Sequence, residues 1–547
     1  MREHPRLRLA RGCAMTVLAL ALAACGSDDD DNGTPATPAT RVEGVVAIGA
    51  PLAGAHVTIV DAAGTRLTAV ADTTGRFGVD ATGLQAPLLL SAIEAGSNTN
   101  CRYNNTLRAR CLAAYLPGIT AQATNVANIN PLTDRIASDV AVSLKYIGPQ
   151  QMVDSGKAPT VDAATLSTAV ERMRAGFSTA LTDAGVANVA SFNPVSTPMD
   201  ANGKGVDAVL DVINHTRNYD NNTGESAYTV LTDISFRPIV GLVGSGPYEP
   251  LDYTRAVSEL ASIKNAKVRV LVVGDSTAAT YELERLPRMG WGQVFQARFK
   301  ADAGVHVLNG ARAGRSSRDF YNGGWYQQMA RFMKAGDYVI INHGHNDQNC
   351  DSSKAVRGPA DVANLCSYPN DASGKRQYPA GKPEMSFQYS LENYVTLARA
   401  AGATPLIMTP TTRFWNADRK TAYQSGDTRP VVPNHFTQQN AANGFAFIGD
   451  YSQTVRDTAT ANSVPFIDLE ATTLTFANAH PTDWTHYWLA IDQNDPRYPY
   501  YKTQTSGTLA SPDTTHFQEA GANAVADMVA AGIKATPALA GLAATLQ

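Results

Sequence analysis

Val268-Arg269-Val270-Leu271-Val272-Val273-Gly274-Asp275-Ser276-Thr277 is the stretch that decides how this chain folds. Its first six residues are dominated by branched aliphatics, the composition of a strand buried on both faces inside a parallel sheet. The run stops at Gly274, and Asp275-Ser276-Thr277 follow where the strand leads out into a loop. In open α/β sheets that carboxyl edge is where ligands bind and chemistry is done. A polar turn capped by Ser276 would have the same local sequence, so a reactive serine needs partners elsewhere in the chain.

Working outward, strand-like and helix-like runs alternate. Val305-His306-Val307-Leu308, Tyr338-Val339-Ile340-Ile341, Pro405-Leu406-Ile407-Met408 and Pro465-Phe466-Ile467-Asp468 read as four further strands, with helices at Tyr389 to Ala401 and Gln518 to Ile533. This alternation predicts a parallel sheet with helices on both faces. The second strand runs into Asn309-Gly310-Ala311-Arg312-Ala313-Gly314-Arg315-Ser316 and the third into Asn342-His343-Gly344-His345-Asn346-Asp347. Asp513-Thr514-Thr515-His516 precedes the last helix. Ester hydrolysis by a serine needs a base, a carboxylate to orient the base, and fixed donors for the oxyanion. Asp513 and His516, three apart, supply orienter and base from one turn. Asn346 offers a side-chain amide, Gly314 a backbone N–H left open by its missing side chain, and Ser276 its own N–H.

Gly-Asp-Ser-Thr, then Asn-x-x-x-x-Gly-Arg-Ser, Gly-His-Asn-Asp and Asp-x-x-His, in this order over about 240 residues, resemble the blocks of the SGNH (GDSL-type) hydrolases. The resemblance implies a flavodoxin-like three-layer α/β/α domain. It implies Ser276 as nucleophile, Gly314 and Asn346 in the oxyanion hole, His516 as base and Asp513 as its partner. Ser-Thr at the nucleophile, Met289-Gly290-Trp291-Gly292-Gln293 and Gly-Arg-Ser-Ser-Arg are similar to rhamnogalacturonan acetylesterases, which deacetylate pectic polysaccharide. The segment between Asp347 and Asp513 is longer than in that family and leaves the substrate more open than the reaction.

Other residues invite competing readings. Asp275 is expected to stabilise the turn by hydrogen bonds and not to serve as the triad acid. His343 and His345 lack a third ligand nearby and are expected to pack and to bond their loop. Trp484, Tyr487, Trp488, Tyr498, Tyr500 and Tyr501 suit either packing or stacking on sugar rings. Arg315 and Arg413 are candidate contacts for an acidic sugar.

The chain has 547 residues, 44% hydrophobic and 17% charged, enough for roughly three globular domains. A net charge of −4 without a basic stripe argues against nucleic acid as a partner. Residues 1–25 read as a targeting segment: Arg2, Arg6, Arg8 and Arg11 precede an apolar run from Ala14 to Ala24 that is too short to span a membrane as a stable helix. Leu22-Ala23-Ala24-Cys25-Gly26 resembles the lipobox of bacterial lipoproteins, which implies lipidation of Cys25; an ordinary secretory signal is the alternative. Acyl chains would then anchor the protein stably. Gly26 in place of Asp points toward the outer membrane of a Gram-negative envelope, facing either the periplasm or the surface. Of the six cysteines, Cys101 with Cys111 and Cys350 with Cys366 make two locally spaced pairs. In an oxidising compartment both are expected disulfides.

Residues 26–41, with an Asp run and then Pro, Thr and Ala, read as a solvated linker. Short β-like runs over 42–117 resemble the carboxypeptidase-regulatory β-sandwich, carried by Gly-Ala-Pro-Leu-Ala-Gly-Ala-His-Val and Thr-Thr-Gly-Arg-Phe. Residues 118–250 read as a mainly helical domain and linker: a helix starting at Asn130-Pro131, a second over Ala163 to Ala184, and a third over Val206 to His215. His215 is expected to be structural and Gly241 to Pro250 a linker. The hydrolase domain is expected over 265–536, with a tail at 537–547. Together these features describe a lipid-anchored, monomeric serine esterase that deacetylates polysaccharide or oligosaccharide and needs no metal or organic cofactor. A lipase- or thioesterase-like hydrolase and a non-catalytic glycan-binding lipoprotein are the alternatives.

Overall fold

Alternate residues of a strand point to opposite faces of its sheet, and the stretch at Val268 uses both faces. The structure, a computed structural model, describes residues 38–96, 111–218, 228–240, 249–348, 350, 365–370, 372–373, 378, 383–416, 429–436 and 449–547. Around this stretch five parallel strands, β1 (Val268–Gly274), β2 (Val305–Asn309), β3 (Tyr338–Asn342), β4 (Thr404–Met408) and β5 (Phe466–Ile467), pair in the order β2-β1-β3-β4-β5. Each expected strand is present within one residue or so of its expected bounds.

Leu271 and Val273 of β1 join Leu308, Val339, Ile341 and Ile407 in one core. Val270 and Val272 join Ile340, Leu406 and Met408 in another on the opposite face. Phe387–Ala400 and Tyr451–Ala461 cover the first face through Leu391, Tyr394, Tyr451 and Val455. Glu519–Ala535 covers the second through Val525, Val529 and Ile533. This is the expected three-layer α/β/α arrangement. At the base of the sheet Arg269 and Asp337, both buried, pair at 2.8 Å. Asp337 also accepts from the Arg269 and Lys334 N–H groups, and Arg269 donates to the Ile263 carbonyl, so both ions are well bonded.

At the front, Arg41–Val45 pairs antiparallel with Arg76–Asp80 and parallel with Thr124–Val126. The antiparallel set Arg66–Val70, His56–Asp61, Leu88–Ile93 and Cys111–Leu116 forms a second sheet. Val42, Val57, Ile59, Phe77, Leu90 and Leu112 fill the core of this region. The expected boundary at residue 117 is therefore too early, because Thr124–Val126 completes the first sheet.

The segment expected to be mainly helical needs correction. Pro131–Ser143 begins where expected, with the Asn130 side chain accepting from the Leu132 and Thr133 N–H groups, an N-cap that satisfies otherwise unpaired donors. Ala163–Asp183 follows under an Asp162 cap. The third helix, however, stops at Asp211, and Ile213–Asn218 is a strand paired antiparallel with Tyr228–Asp233, beyond which lies Pro238–Val240. Val212, Ile213 and Thr216 are β-branched and suit a paired strand more than a helix. His215 is not alone: its Nε2 lies 2.7 Å from the buried Asp134 carboxylate.

Ala39–Gln547 forms one compact unit, and one core runs from Leu132, Met173 and Phe177 through Leu231 and Phe236 to Leu271 and Ile341. The expected boundary near 250 is thus no break in packing. Nor is 537–547 a tail, for Leu539, Leu542 and Leu546 are buried and the Lys300 N–H donates to the Thr545 carbonyl. The apolar spacing of those leucines packs the end of the chain against Phe299. Residues 1–25 with Cys25, residues 26–37 and 241–248, and Cys101 lie outside the described residues. Cys111 is disulfide-bonded, and Cys350 is bonded to Cys366 with Cα atoms 4.7 Å apart.

Candidate active site

The carboxyl ends of the strands are held by side chains that the sheet brings side by side. Gly274 is required at the end of β1, since a Cβ there would lie 2.7 Å from the Asn342 carbonyl oxygen of β3. Asn309 donates to the Ala278 carbonyl at 2.8 Å and Asn342 to the Thr409 carbonyl at 2.9 Å. These bonds tie the loop after β1 to β2, and β3 to the loop after β4.

On that edge Ser276 meets His516, with Oγ 2.8 Å from Nε2. His516 Nδ1 lies 2.6 Å from Asp513 Oδ2. An ionised carboxylate only accepts, so Nδ1 carries the ring proton and Nε2 is left to accept from the serine hydroxyl. Asp513 and His516 were expected on a turn; they lie instead in β6 (Asp513–Gln518), which pairs antiparallel with Arg288–Met289 and, through a register shift, with Trp488–Leu489. The turn survives locally: Asp513 Oδ1 accepts from the Thr515 and His516 N–H groups at 2.9 and 3.1 Å, which brings the carboxylate round beneath the imidazole.

The other expected residues gather at the same edge. The Arg312 N–H donates to the Gly274 carbonyl at 3.0 Å and carries the loop after β2 across β1. Gly314 lies in that loop with φ +74°, a left-handed conformation that favours glycine. Asn346 donates from its side-chain nitrogen to the Arg315 carbonyl at 3.2 Å, so it sits beside Gly314. Asp275, wholly buried, accepts from Thr277 N–H and Oγ1–H and from the His345 N–H. It fastens the loop after β1 to the Asn346 loop and stands apart from His516's Nδ1, which Asp513 occupies.

A model of the GDSL-like Lipase/Acylhydrolase family matches residues 272–524, from within β1 to the last long helix. The rhamnogalacturonan acetylesterase RhgT of Bacillus subtilis is 28% identical over 270 residues, covering 49% of this chain and 90% of that protein. A rhamnogalacturonan acetylesterase of Emericella nidulans is 28% identical over 218 residues, covering 38% of this chain and 79% of that protein. This region is a carboxylic ester hydrolase.

In this ester hydrolase, burial and nearby charge set the protonation of the His516–Asp513 pair. Burial, followed by the nearby Arg288 cation, lowers the His516 imidazole below its ordinary value against the pull of Asp513. Burial works the other way on Asp513, but the hydrogen bond and charge of His516 outweigh it and hold the carboxyl well below the usual range. A neutral imidazole over an ionised carboxylate is the form that can take up a proton at neutral pH.

Two residues beside Ser276 carry little local signal in the sequence. Tyr281 donates from its hydroxyl to the Ser276 carbonyl at 2.7 Å and accepts from Arg288 at 3.1 Å, while the Arg288 guanidinium lies 4.4 Å from the Tyr281 ring centroid. Arg288 adjoins the Met289-Gly290-Trp291 run, the only local signal for it. Arg315 is ion-paired with Asp319 at 2.9 Å. Arg413 donates to the His345 carbonyl at 3.2 Å. His343 is buried against the Phe320 and Tyr394 rings. Of the aromatic run, Trp484 stacks on Phe414 at 4.6 Å and Tyr501 is buried with its hydroxyl donating to the Arg285 carbonyl. No group of three metal-ligating side chains occurs among the described residues.

Proposed function

We propose that this protein is a serine esterase that removes O-acetyl groups from a polysaccharide or oligosaccharide of the pectic type. The observation that carries the reading is the relay from Ser276 Oγ through His516 to Asp513, at 2.8 and 2.6 Å. The rhamnogalacturonan acetylesterase names of its relatives support the acetyl group and the glycan.

Ser276 Oγ attacks the acyl carbonyl as its proton passes to His516 Nε2, and Asp513 stabilises the imidazolium that forms. The oxyanion is bonded by the N–H groups of Ser276, Gly314 and the Asn346 side chain. Collapse breaks the bond to the sugar oxygen, which leaves with the proton from His516. A water deprotonated by His516 then attacks the acyl-serine, releasing acetate and returning the proton to Ser276.

In the same reading residues 1–25 direct export, lipidated Cys25 tethers a monomer to the cell envelope, and the front β-sandwich, carboxypeptidase-regulatory-like, is a spacer or binding module. Acetate release from acetylated pectins and xylans, run beside nitrophenyl esters of increasing chain length, tests the substrate. Preference for pectin and for acetyl esters is expected; a maximum at octanoate or beyond would reject the acetylesterase. Radiolabelled palmitate appearing in the wild-type chain and absent from Cys25→Ala tests the anchor.

A further inference from the structure

Behind the nucleophile lies a chain of buried polar side chains that the reaction as written does not use. Glu470 Oε1 lies 2.7 Å from His435 Nδ1, His435 Nε2 lies 3.5 Å from His345 Nδ1, and His345 Nε2 lies 3.1 Å from Thr411 Oγ1. The proton positions follow from one end. A carboxylate only accepts, so His435 Nδ1 donates to Glu470 and its Nε2 is an acceptor. His345 Nδ1 then donates to His435, which leaves His345 Nε2 to accept from the Thr411 hydroxyl. Both imidazoles are neutral in this arrangement, in keeping with burial lowering each of them.

The backbone of His345 is engaged as well. Its N–H donates to Asp275, next to Ser276, and its carbonyl accepts from Arg413. Every polar atom of His345 is thus bonded, to the loop after β1, to the segment after β4, and to His435. Residue 346 follows directly, and its amide is the proposed oxyanion donor. Thr411-His345-His435-Glu470 has the sequence of a nucleophile relay, but Thr411 is wholly buried and meets no substrate. An apolar side chain would fill the same space without burying two imidazoles and a carboxylate, whose burial is costly unless their bonds are complete.

We propose that His345 is a positioning residue that locks the Asn346 amide in register with Ser276, and that His435 and Glu470 act through it. The inference rests on the esterase reading of Ser276, and the experiment separates the two. Full-length Ser276→Ala, His435→Leu, His435→Gln and Thr411→Val are assayed on nitrophenyl acetate, with thermal unfolding of each recorded. His435→Leu removes the acceptor for His345 and lowers kcat by about 10- to 100-fold with KM within about twofold, as expected of a displaced oxyanion donor. His435→Gln, whose amide both accepts and donates, recovers at least about a third of the lost kcat on a logarithmic scale, since a correctly placed hydrogen bond is restored. The acid limb of the rate profile stays where the wild type has it, because His516 is untouched. Equal kcat in wild type and His435→Leu, or equal losses in the Leu and Gln variants, overturns the proposal. Where His435→Leu does not fold, Thr411→Val carries the test: a roughly threefold or larger fall in kcat at constant KM supports the network, in line with loss of one hydrogen bond, and an unchanged kcat overturns it. Full activity in Ser276→Ala removes the esterase reading itself.

Discussion

His516 Nε2 lies 2.8 Å from Ser276 Oγ across 240 residues of sequence. Ser276 lies two residues beyond the first strand of the parallel sheet, and His516 stands in an antiparallel strand of a separate sheet. Neither local segment dictates this approach; it follows from the packing of Glu519–Ala535 on the sheet face lined by Val270 and Val272.

Because burial and Arg288 lower the His516 imidazole, kcat/KM toward nitrophenyl acetate should remain level as pH falls through 6.5, the ordinary imidazole value, and decline only below it. Asp513→Asn removes the acceptor that fixes the tautomer and should reduce kcat by about 10³- to 10⁴-fold. A pH–rate profile of the wild type and steady-state kinetics of the variant check both.

Tyr281→Phe deletes the hydroxyl that donates to the Ser276 carbonyl and accepts from Arg288. A loss of about 1 kcal/mol in stability is expected for one such bond, together with a several-fold lower kcat as the Ser276 loop loosens. Urea unfolding and steady-state kinetics would show whether the two losses occur together.

Asp337→Ala strands the buried Arg269 guanidinium at the foot of the sheet, remote from the reacting edge. Breaking a buried pair on one side costs about 3–5 kcal/mol. The unfolding midpoint should fall steeply, while kcat per folded molecule at low temperature stays close to wild type.

His343 is buried among aromatic rings, which lowers its imidazole to about 3. Below 6.5 the unfolded chain takes up a proton at this residue that the folded chain refuses, so stability falls as pH drops from 6.5 toward that value. His343→Phe removes this proton linkage and should flatten the dependence between pH 6 and 4, by up to about 1.4 kcal/mol for each pH unit. Chemical denaturation at several pH values, wild type against variant, measures it.

Legibility in the sequence followed the range of the interactions involved. The five strands were readable because each is a short apolar run whose burial on both faces is written into adjacent residues. The loops at their carboxyl ends carried Ser276, Gly314 and Asn346 as local patterns, and Asp-x-x-His carried Asp513 and His516 in a strand of a separate sheet. The Ile213–Asn218 strand was misread as helix because its pairing with Tyr228–Asp233 is not a local property. Tyr281, Arg288, His435 and Glu470 left almost no trace, since a lone tyrosine or glutamate has no periodicity, whereas His345 stood out in its loop and bonds it as expected.

By itself, then, the sequence determined the sheet, its order of strands and helices along the chain, and the residue types that reach its carboxyl edge. Tertiary structure alone decided that His516 comes within hydrogen-bond distance of Ser276, which partners the buried His345 and His435 meet, and that the segment before residue 250 shares a core with the sheet. The division has one physical cause: apolar periodicity is set by neighbours along the chain, whereas a hydrogen bond depends on distances of about 3 Å that only the packed fold brings about.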